Sequence, residues 1–127
     1  LSVKQEDIHL QGHAMECRIN AEDPAHHFRP CPGVIEEIHL PGGNGVRIDT
    51  AAYNGYEIPP FYDSMIAKVI VHGRTRQEAI DKMRSTLGEL IIDGVTTNVD
   101  FQYEILDNED FQAGEITTDF IPMHFNL

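Results

Sequence analysis

An arginine in an alternating segment is the residue of this sequence best suited to bind an anion. In residues 14–20 apolar side chains alternate with Glu16, Arg18 and Asn20, the period of two expected of a half-buried strand. The pattern predicts that these three side chains share one polar face. A guanidinium is planar and permanently charged, so between a carboxylate and an amide it could bind an oxyanion. The alternative interpretation is a solvent-facing strand with a surface ion pair.

Other residues capable of chemistry lack the neighbours that they would need. The seven histidines are scattered, and none has the spacing to a cysteine or carboxylate that a metal site requires, so we expect solvated histidines. Cys17 and Cys31 are too far apart for a zinc pair and are predicted to be reduced structural thiols. Ser64 opens a strand rather than a sharp strand-to-helix turn, so it is expected to be structural. Lys82 is expected in mid-helix, unlike a biotin-carrying lysine.

Strands and glycine turns are predicted to position the polar face. Residues 34–40 and 45–50 are expected to form a hairpin across the turn 41–44, whose glycines supply positive φ. That glycine run lacks the lysine and hydroxyl of a P-loop. The apolar run 64–72, interrupted by Lys68, predicts a central buried strand.

The periodicity then changes to that of helices. Thr75 and Glu78 have the spacing of a capping box, and apolar residues recur at helical spacing as far as Leu90. A short strand and turn are expected at 91–95, and a second helix near residues 97–98. The sequence therefore predicts an α+β fold, mainly antiparallel β with a barrel- or sandwich-like sheet, followed by two C-terminal helices and an irregular tail.

Composition limits the function classes. The 127 residues carry 21 acidic and 9 basic side chains, a formal net charge of −12, which disfavours nucleic acid and anionic membranes as partners. No apolar run approaches the roughly 20 residues that span a bilayer. We expect one cytoplasmic domain over residues 1–127. The chain opens on Leu1 without an initiator methionine, which processing, missing residues or excision from a longer protein could each explain, and its motifs favour excision.

Four separated motifs resemble the C-terminal domain of biotin carboxylases. They read ECRINAEDP at 16–24, PGGNGVR at 41–47, PPFYDSMIAK at 59–68 and GVTTN at 94–98, in the family's order and spacing. The resemblance implies a biotin-dependent carboxylase, in which ATP and bicarbonate form carboxyphosphate and carbon dioxide passes to N1 of carrier-bound biotin. The run from residue 93 to 98 is more similar to the biotin carboxylase of bacterial acetyl-CoA carboxylase, an enzyme of fatty acid biosynthesis, than to pyruvate carboxylase.

The resemblance also assigns roles to single residues. Arg18 matches the family arginine beside biotin, which stabilises the enolate-like deprotonated ureido group. From the strand alternation we expect Glu16 and Asn20, on the same polar face, to be substrate-binding residues with it. Arg47 and Asp63 match positions around the subunit interface of a homodimer; the alternative interpretation is that they are ordinary surface residues flanking a turn. The third interface position, where an apolar or aromatic residue is expected, is occupied by Asn44.

In that family, the residues that bind ATP, magnesium and bicarbonate lie in preceding ATP-grasp domains. The resemblance therefore implies that residues 1–127 bind no metal or nucleotide alone and are inactive without those domains. Biotin carboxyl carrier protein and a carboxyltransferase are the implied partners. Two alternatives remain: the same domain of a pyruvate or propionyl-CoA carboxylase, and, in another class, a non-catalytic binding module.

Overall fold

A computed structural model describes residues 2–126 of the chain. These residues form nine strands and four α-helices, with 3₁₀ turns at Gln5–Asp7 and Pro24–His26. In chain order the elements are β1 (His13–Asn20), β2 (Glu22–Asp23), β3 (Arg29–Pro30), β4 (Gly33–Val34), β5 (Glu37–His39), β6 (Val46–Thr50), β7 (Glu57–Ile58), β8 (Met65–Gly73), α1 (Arg76–Glu89), β9 (Ile91–Asp93), α2 (Val99–Asp107), α3 (Glu109–Ala113) and α4 (Phe120–His124).

Strand β8 is the centre of the main sheet, as its apolar run predicts. It pairs antiparallel with β1 on one edge and with β6 on the other. Because side chains alternate along each strand, the sheet has one apolar and one polar face. The apolar face packs against α1 and α2 in the core, which includes Cys17, Ile19, Val69, Val71, Ile80, Met83 and Leu106.

The predicted hairpin between residues 34–40 and 45–50 is wrong. The first segment divides into β4, which pairs with β7, and β5, which pairs with β9, whereas β6 pairs with β8. The division occurs at the buried Ile35. The Ile35 backbone N–H donates to the Tyr56 carbonyl, while the Glu36 backbone N–H donates to the backbone carbonyl of Asp93. Burying Ile48 of β6 requires pairing with β8, so the glycine turn connects two sheets instead of two paired strands.

The helices begin close to where the sequence predicts. Thr75 caps α1 by accepting a hydrogen bond from the Glu78 amide at 3.1 Å. The Glu78 carboxylate does not complete a capping box but pairs with Arg74, also at 3.1 Å. Helix α2 follows Asn98, as expected.

The α+β class and the antiparallel pairing are confirmed, with two differences in detail. The strands of residues 2–126 form four separate sheets and no closed barrel. The short helices α3 and α4 follow the two predicted ones, and α4 replaces the irregular tail because the buried Phe120 anchors it. Within the described residues, none of the helices is long and apolar enough to cross a membrane.

Candidate functional site

The polar face of the main sheet contains the arginine singled out by the sequence. Glu16 and Arg18 are exposed on β1, while Cys17 and Ile19, which alternate with them, are buried, and this confirms the predicted alternation. The register places Lys68 of β8 beside Arg18 and Asp49 of β6 beyond it.

The neighbouring row of the sheet runs from Glu16 through Ile70 to Arg47. Arg18 and Arg47 therefore share one sheet face. We call this surface, defined by Glu16, Arg18, Arg47, Asp49 and Lys68, the polar sheet face.

The Arg18 guanidinium has few contacts within the chain. Its Nε lies 3.4 Å from the Met65 sulfur, and among residues 2–126 no carboxylate forms an ion pair with it. The surface ion pair considered as an alternative from the sequence is thus not formed by the described residues. A charged fork on an exposed face without an internal counterion is able to receive an external oxyanion.

The backbone of Arg18 is held much more firmly than its side chain. Its carbonyl oxygen accepts hydrogen bonds from Asn98 Nδ2 at 3.1 Å and from Gln102 Nε2 at 2.6 Å. Sequence reasoning noticed Asn98 only as part of a motif and missed Gln102 entirely. The available signal was that polar side chains stand at the start of an amphipathic helix. Their partner, Arg18, lies 80 residues from Asn98 and 84 residues from Gln102.

Asn20 lies where β1 ends at a bulge. Its side-chain amide donates to the Glu22 carboxylate at 3.4 Å, and the same carboxylate oxygen accepts from Ser64 Oγ at 2.6 Å. Ser64 is therefore engaged in a structural hydrogen bond. The Asn20 side-chain oxygen is buried and has no hydrogen-bond partner among residues 2–126.

Arg47 forms a two-pronged ion pair within its own strand. Its Nε and Nη2 each donate to an Asp49 carboxylate oxygen at 2.8 Å. The hydrogen bond from Arg47 lowers the pKa of Asp49, and Arg47 and Lys68 add a weaker charge effect in the same direction. Both side chains are exposed, so the pair orients Arg47 more than it stabilises the fold.

Asp63 and Asn44 lie at opposite ends of the sheet. Asp63 accepts from the Met65 amide at 2.9 Å where β8 begins, whereas Asn44 is exposed in the turn beside His72, where β8 ends. The structure therefore does not bring these two together, and Arg47 lies between them along the sheet. The loop before Asp63 leaves Phe61 89% and Tyr62 82% exposed.

The cysteines and histidines show no further reactive centre in residues 2–126. Both cysteines are free, and burial followed by the nearby Glu16 charge raises the pKa of Cys17 to about 12, which keeps it protonated. No group of three or more potential metal ligands is formed by the described residues. None of the seven histidines is buried, which agrees with the expected solvation, and His26, His72 and His124 also hydrogen-bond to Asp23, to the Gln11 carbonyl and to Asp110.

Comparison with known proteins places these features in a family. Residues 16–123 match the model of the biotin carboxylase C-terminal domain. The chain is 54% identical over 121 residues to Biotin carboxylase 1 of Bacillus subtilis, covering 95% of this chain and 27% of that protein. It is also 54% identical over 121 residues to a pyruvate carboxylase subunit of Methanothermobacter thermautotrophicus, covering 95% and 25%.

A solved structure shares the fold closely. The biotin carboxylase domain dimer of Hydrogenobacter thermophilus 2-oxoglutarate carboxylase, in complex with MgADP, ADP and bicarbonate, superposes with a TM-score of 0.96 at 45% identity. That match covers 98% of this chain and 27% of the other. The chain spans about a quarter of the length of the curated relatives it matches.

Proposed function

The chain belongs to the biotin carboxylase C-terminal domain family, and on that premise we propose that it forms the biotin side of a biotin carboxylase active site. Arg18 is the residue that acts on the substrate. The supporting observation is its guanidinium, exposed on the polar sheet face with no counterion among residues 2–126.

The proposed chemistry follows from the permanent charge of arginine. Once a base from the rest of the active site has accepted the proton of biotin N1, negative charge is delocalised onto the ureido oxygen, and an N–H of Arg18 donates to that oxygen. The interaction is stronger with the anion than with neutral biotin, so it lowers the barrier instead of merely binding substrate. Lys68, the cross-strand neighbour of Arg18, adds a second positive charge beside it. Asp49, on the other side of Lys68, forms its ion pair with Arg47.

The experiment compares two activities of the full-length subunit that contains this chain. We expect Arg18→Ala to reduce biotin carboxylation about 100-fold, the usual loss for one oxyanion donor, and to leave bicarbonate-dependent ATP hydrolysis nearly unchanged. Arg74→Ala is the matched control, because Arg74 is an exposed arginine whose one ion pair among residues 2–126 is with Glu78. Equal losses of both activities in Arg18→Ala would count against the assignment.

Glu16 and Asn20 complete the proposed substrate contacts. Glu16 is exposed on the same face, and the buried Asn20 oxygen lacks a donor among residues 2–126. The KM for biotin should rise in Glu16→Gln and in Asn20→Ala. Unchanged KM values would remove both residues from the site.

We propose that residues 1–127 are one domain of a longer ATP-grasp enzyme, whose other domains bind ATP, magnesium and bicarbonate. The short span relative to known biotin carboxylases supports this, and so does the ligand set of the Hydrogenobacter relative. Biotin on its carrier protein and a carboxyltransferase are the proposed partners, in the cytoplasm. The isolated chain should hydrolyse no ATP, and turnover by a pure preparation would contradict the proposal.

For the parent enzyme we propose acetyl-CoA carboxylase, which supplies fatty acid biosynthesis. The support is the run from residue 93 to 98. Pyruvate carboxylase is the second candidate, because the Methanothermobacter protein is as similar to this chain as the Bacillus protein is. Carboxylation assays of the reconstituted complex with acetyl-CoA, pyruvate and propionyl-CoA decide between them, and an exclusive pyruvate activity would reject the first choice.

We also propose that Arg47, Asp63 and Asn44 line a homodimer interface of the full subunit. The support is their exposure and the dimer named for the Hydrogenobacter relative. Since Asn44 and Asp63 lie at opposite ends of the sheet, the interface would have to extend along β8. The oligomeric state of an Arg47 variant tests this.

A further inference from the structure

Strand β1 is an edge strand, yet the edge at Arg18 is not left bare. The sheet order is β1–β8–β6, so the outer side of β1 has no strand beside it in this sheet. An edge carbonyl normally bonds to water or to another strand. Here the first turn of helix α2 takes that place.

Asn98 acts as a substitute for a pairing strand. Its side-chain oxygen accepts a hydrogen bond from the backbone N–H of Asn20 at 2.9 Å, and its backbone N–H donates to the backbone carbonyl of Asn20 at 3.1 Å. Its Nδ2 donates to the Arg18 carbonyl at 3.1 Å. Asn98 is only 7% exposed, so these bonds are shielded from water, and leaving one of them unmade would be costly.

Gln102 adds a second donor from the next turn of α2. Residues four apart lie on the same side of a helix, and both amides reach one atom: Gln102 Nε2 is 2.6 Å from the Arg18 carbonyl oxygen. The two lone pairs of that oxygen are thereby both used. The contact lies beside the bulge at Ile19 and Asn20, where the β1–β8 register shifts and ladder pairing alone constrains the strand less.

The hydrogen bonds from Asn98 and Gln102 to the Arg18 backbone matter because the Arg18 side chain has so few contacts of its own. Apart from the Met65 sulfur, no described group fixes the guanidinium, so its direction depends on where the backbone places the Cα–Cβ bond. A small displacement of a reacting group can cost a large factor in rate.

We propose that Asn98 and Gln102 are positioning residues for Arg18, acting through its backbone carbonyl. The inference rests on the proposed role of Arg18 in biotin carboxylation. The inference gives the start of α2 a role in positioning Arg18. The sequence motif at 94–98 includes Asn98 but does not indicate this role.

The test uses Gln102→Met in the full-length subunit, since methionine keeps the approximate length of the side chain and lacks the amide that donates to Arg18. Gln112→Met is the matched control, because Gln112 Nε2 makes the same type of bond, 2.9 Å to the Leu106 carbonyl, at the other end of α2. We expect Gln102→Met to lower kcat for biotin carboxylation about five-fold, the effect of one hydrogen bond, with bicarbonate-dependent ATP hydrolysis unchanged. Gln112→Met should leave both activities unchanged.

The double variant separates positioning from a general structural effect. If Gln102 acts through Arg18, then Gln102→Met should cause no further loss of carboxylation in an Arg18→Ala background. A repeated five-fold loss there, or equal losses in the two glutamine variants, would overturn the inference.

Failure of the underlying function gives a different result. If Arg18→Ala lowers carboxylation while Gln102→Met does not, only the positioning role is rejected. If Arg18→Ala itself leaves carboxylation intact, the proposed function and the inference that rests on it are both rejected.

Discussion

Neighbouring residues of β1 show how strand alternation separates chemical roles. Arg18 is exposed and keeps its charge available, while Cys17, one position earlier, is buried and has a pKa raised to about 12. A thiol with that pKa is almost entirely protonated at neutral pH and is a poor nucleophile. Reactivity on this strand is therefore confined to the polar sheet face.

His124 makes the clearest pH-dependent contact of the described residues. Its Nε2 lies 2.8 Å from the Asp110 carboxylate and its Nδ1 lies 2.9 Å from the Phe120 carbonyl. Both partners are acceptors, so both bonds form only when the ring carries two protons. The Asp110 bond first, and the Phe120 carbonyl second, raise the pKa of His124 above its ordinary value.

The raised pKa of His124 gives the pH effect a definite sign. A group whose pKa is higher in the folded than in the unfolded chain stabilises the fold fully below the unfolded pKa, near 6.5, and loses that contribution as pH rises through the folded value. We expect an NMR titration of His124 to give a pKa above that of a model peptide. Asp110→Asn should lower it, and a native pKa at or below the peptide value would contradict the contact.

At the scale of elements, the turn after β9 depends on one glycine. Gly94 has φ of +98°, and a Cβ there would collide with the Val34 carbonyl and the Glu36 amide, which lie beside the β5–β9 pairing. Gly114 also has positive φ, +84°, but a Cβ there would meet open space. Comparing an alanine substitution at each of the two glycines therefore distinguishes the cost of backbone strain from the cost of steric collision.

We expect Gly114→Ala to lower the free energy of unfolding by about 1 kcal/mol, the cost of positive φ alone. Gly94→Ala should cost more than about 3 kcal/mol, because the collision with backbone atoms adds to that strain. Denaturant unfolding of the two variants measures the difference. Equal losses would show that the β5–β9 region accommodates the extra methyl group.

Local patterns predicted the elements better than their pairing. The central strand, the cap at Thr75 and the start of α2 follow from residues adjacent in sequence, and all three are present. The predicted hairpin is wrong because residues 37–39 pair with residues 91–93 instead. That pairing depends on the burial of apolar side chains that are distant in sequence. The polar face could be predicted from its alternation. The contacts of Asn98 and Gln102 with Arg18 could not, because no local period encodes partners that lie 80 and 84 residues away.

At the scale of the whole molecule, our proposals assign both a substrate and a second protomer to the polar sheet face. Arg47 is fixed by Asp49 on the same face as Arg18, so an interface there would lie next to the biotin site. Charge reversal by Arg47→Glu would place like charges side by side on the strand. In analytical ultracentrifugation of the full-length protein, we expect this variant to dissociate at least about ten-fold more readily than the wild type.

The control for this charge reversal is Glu89→Arg, which changes the charge by the same amount at an exposed position of α1, the helix that packs on the opposite face of the sheet. It should leave association unchanged. If Arg47→Glu and the wild type associate equally, the proposed homodimer interface does not include Arg47.

The most direct test is a crystal structure of the full-length subunit with biotin, bicarbonate and MgADP. We expect a nitrogen of the Arg18 guanidinium to lie at hydrogen-bond distance, about 2.7–3.2 Å, from the ureido oxygen of biotin. If biotin is bound and ordered with that oxygen more than about 6 Å from Arg18, beyond the reach of one bridging water, the central claim is wrong.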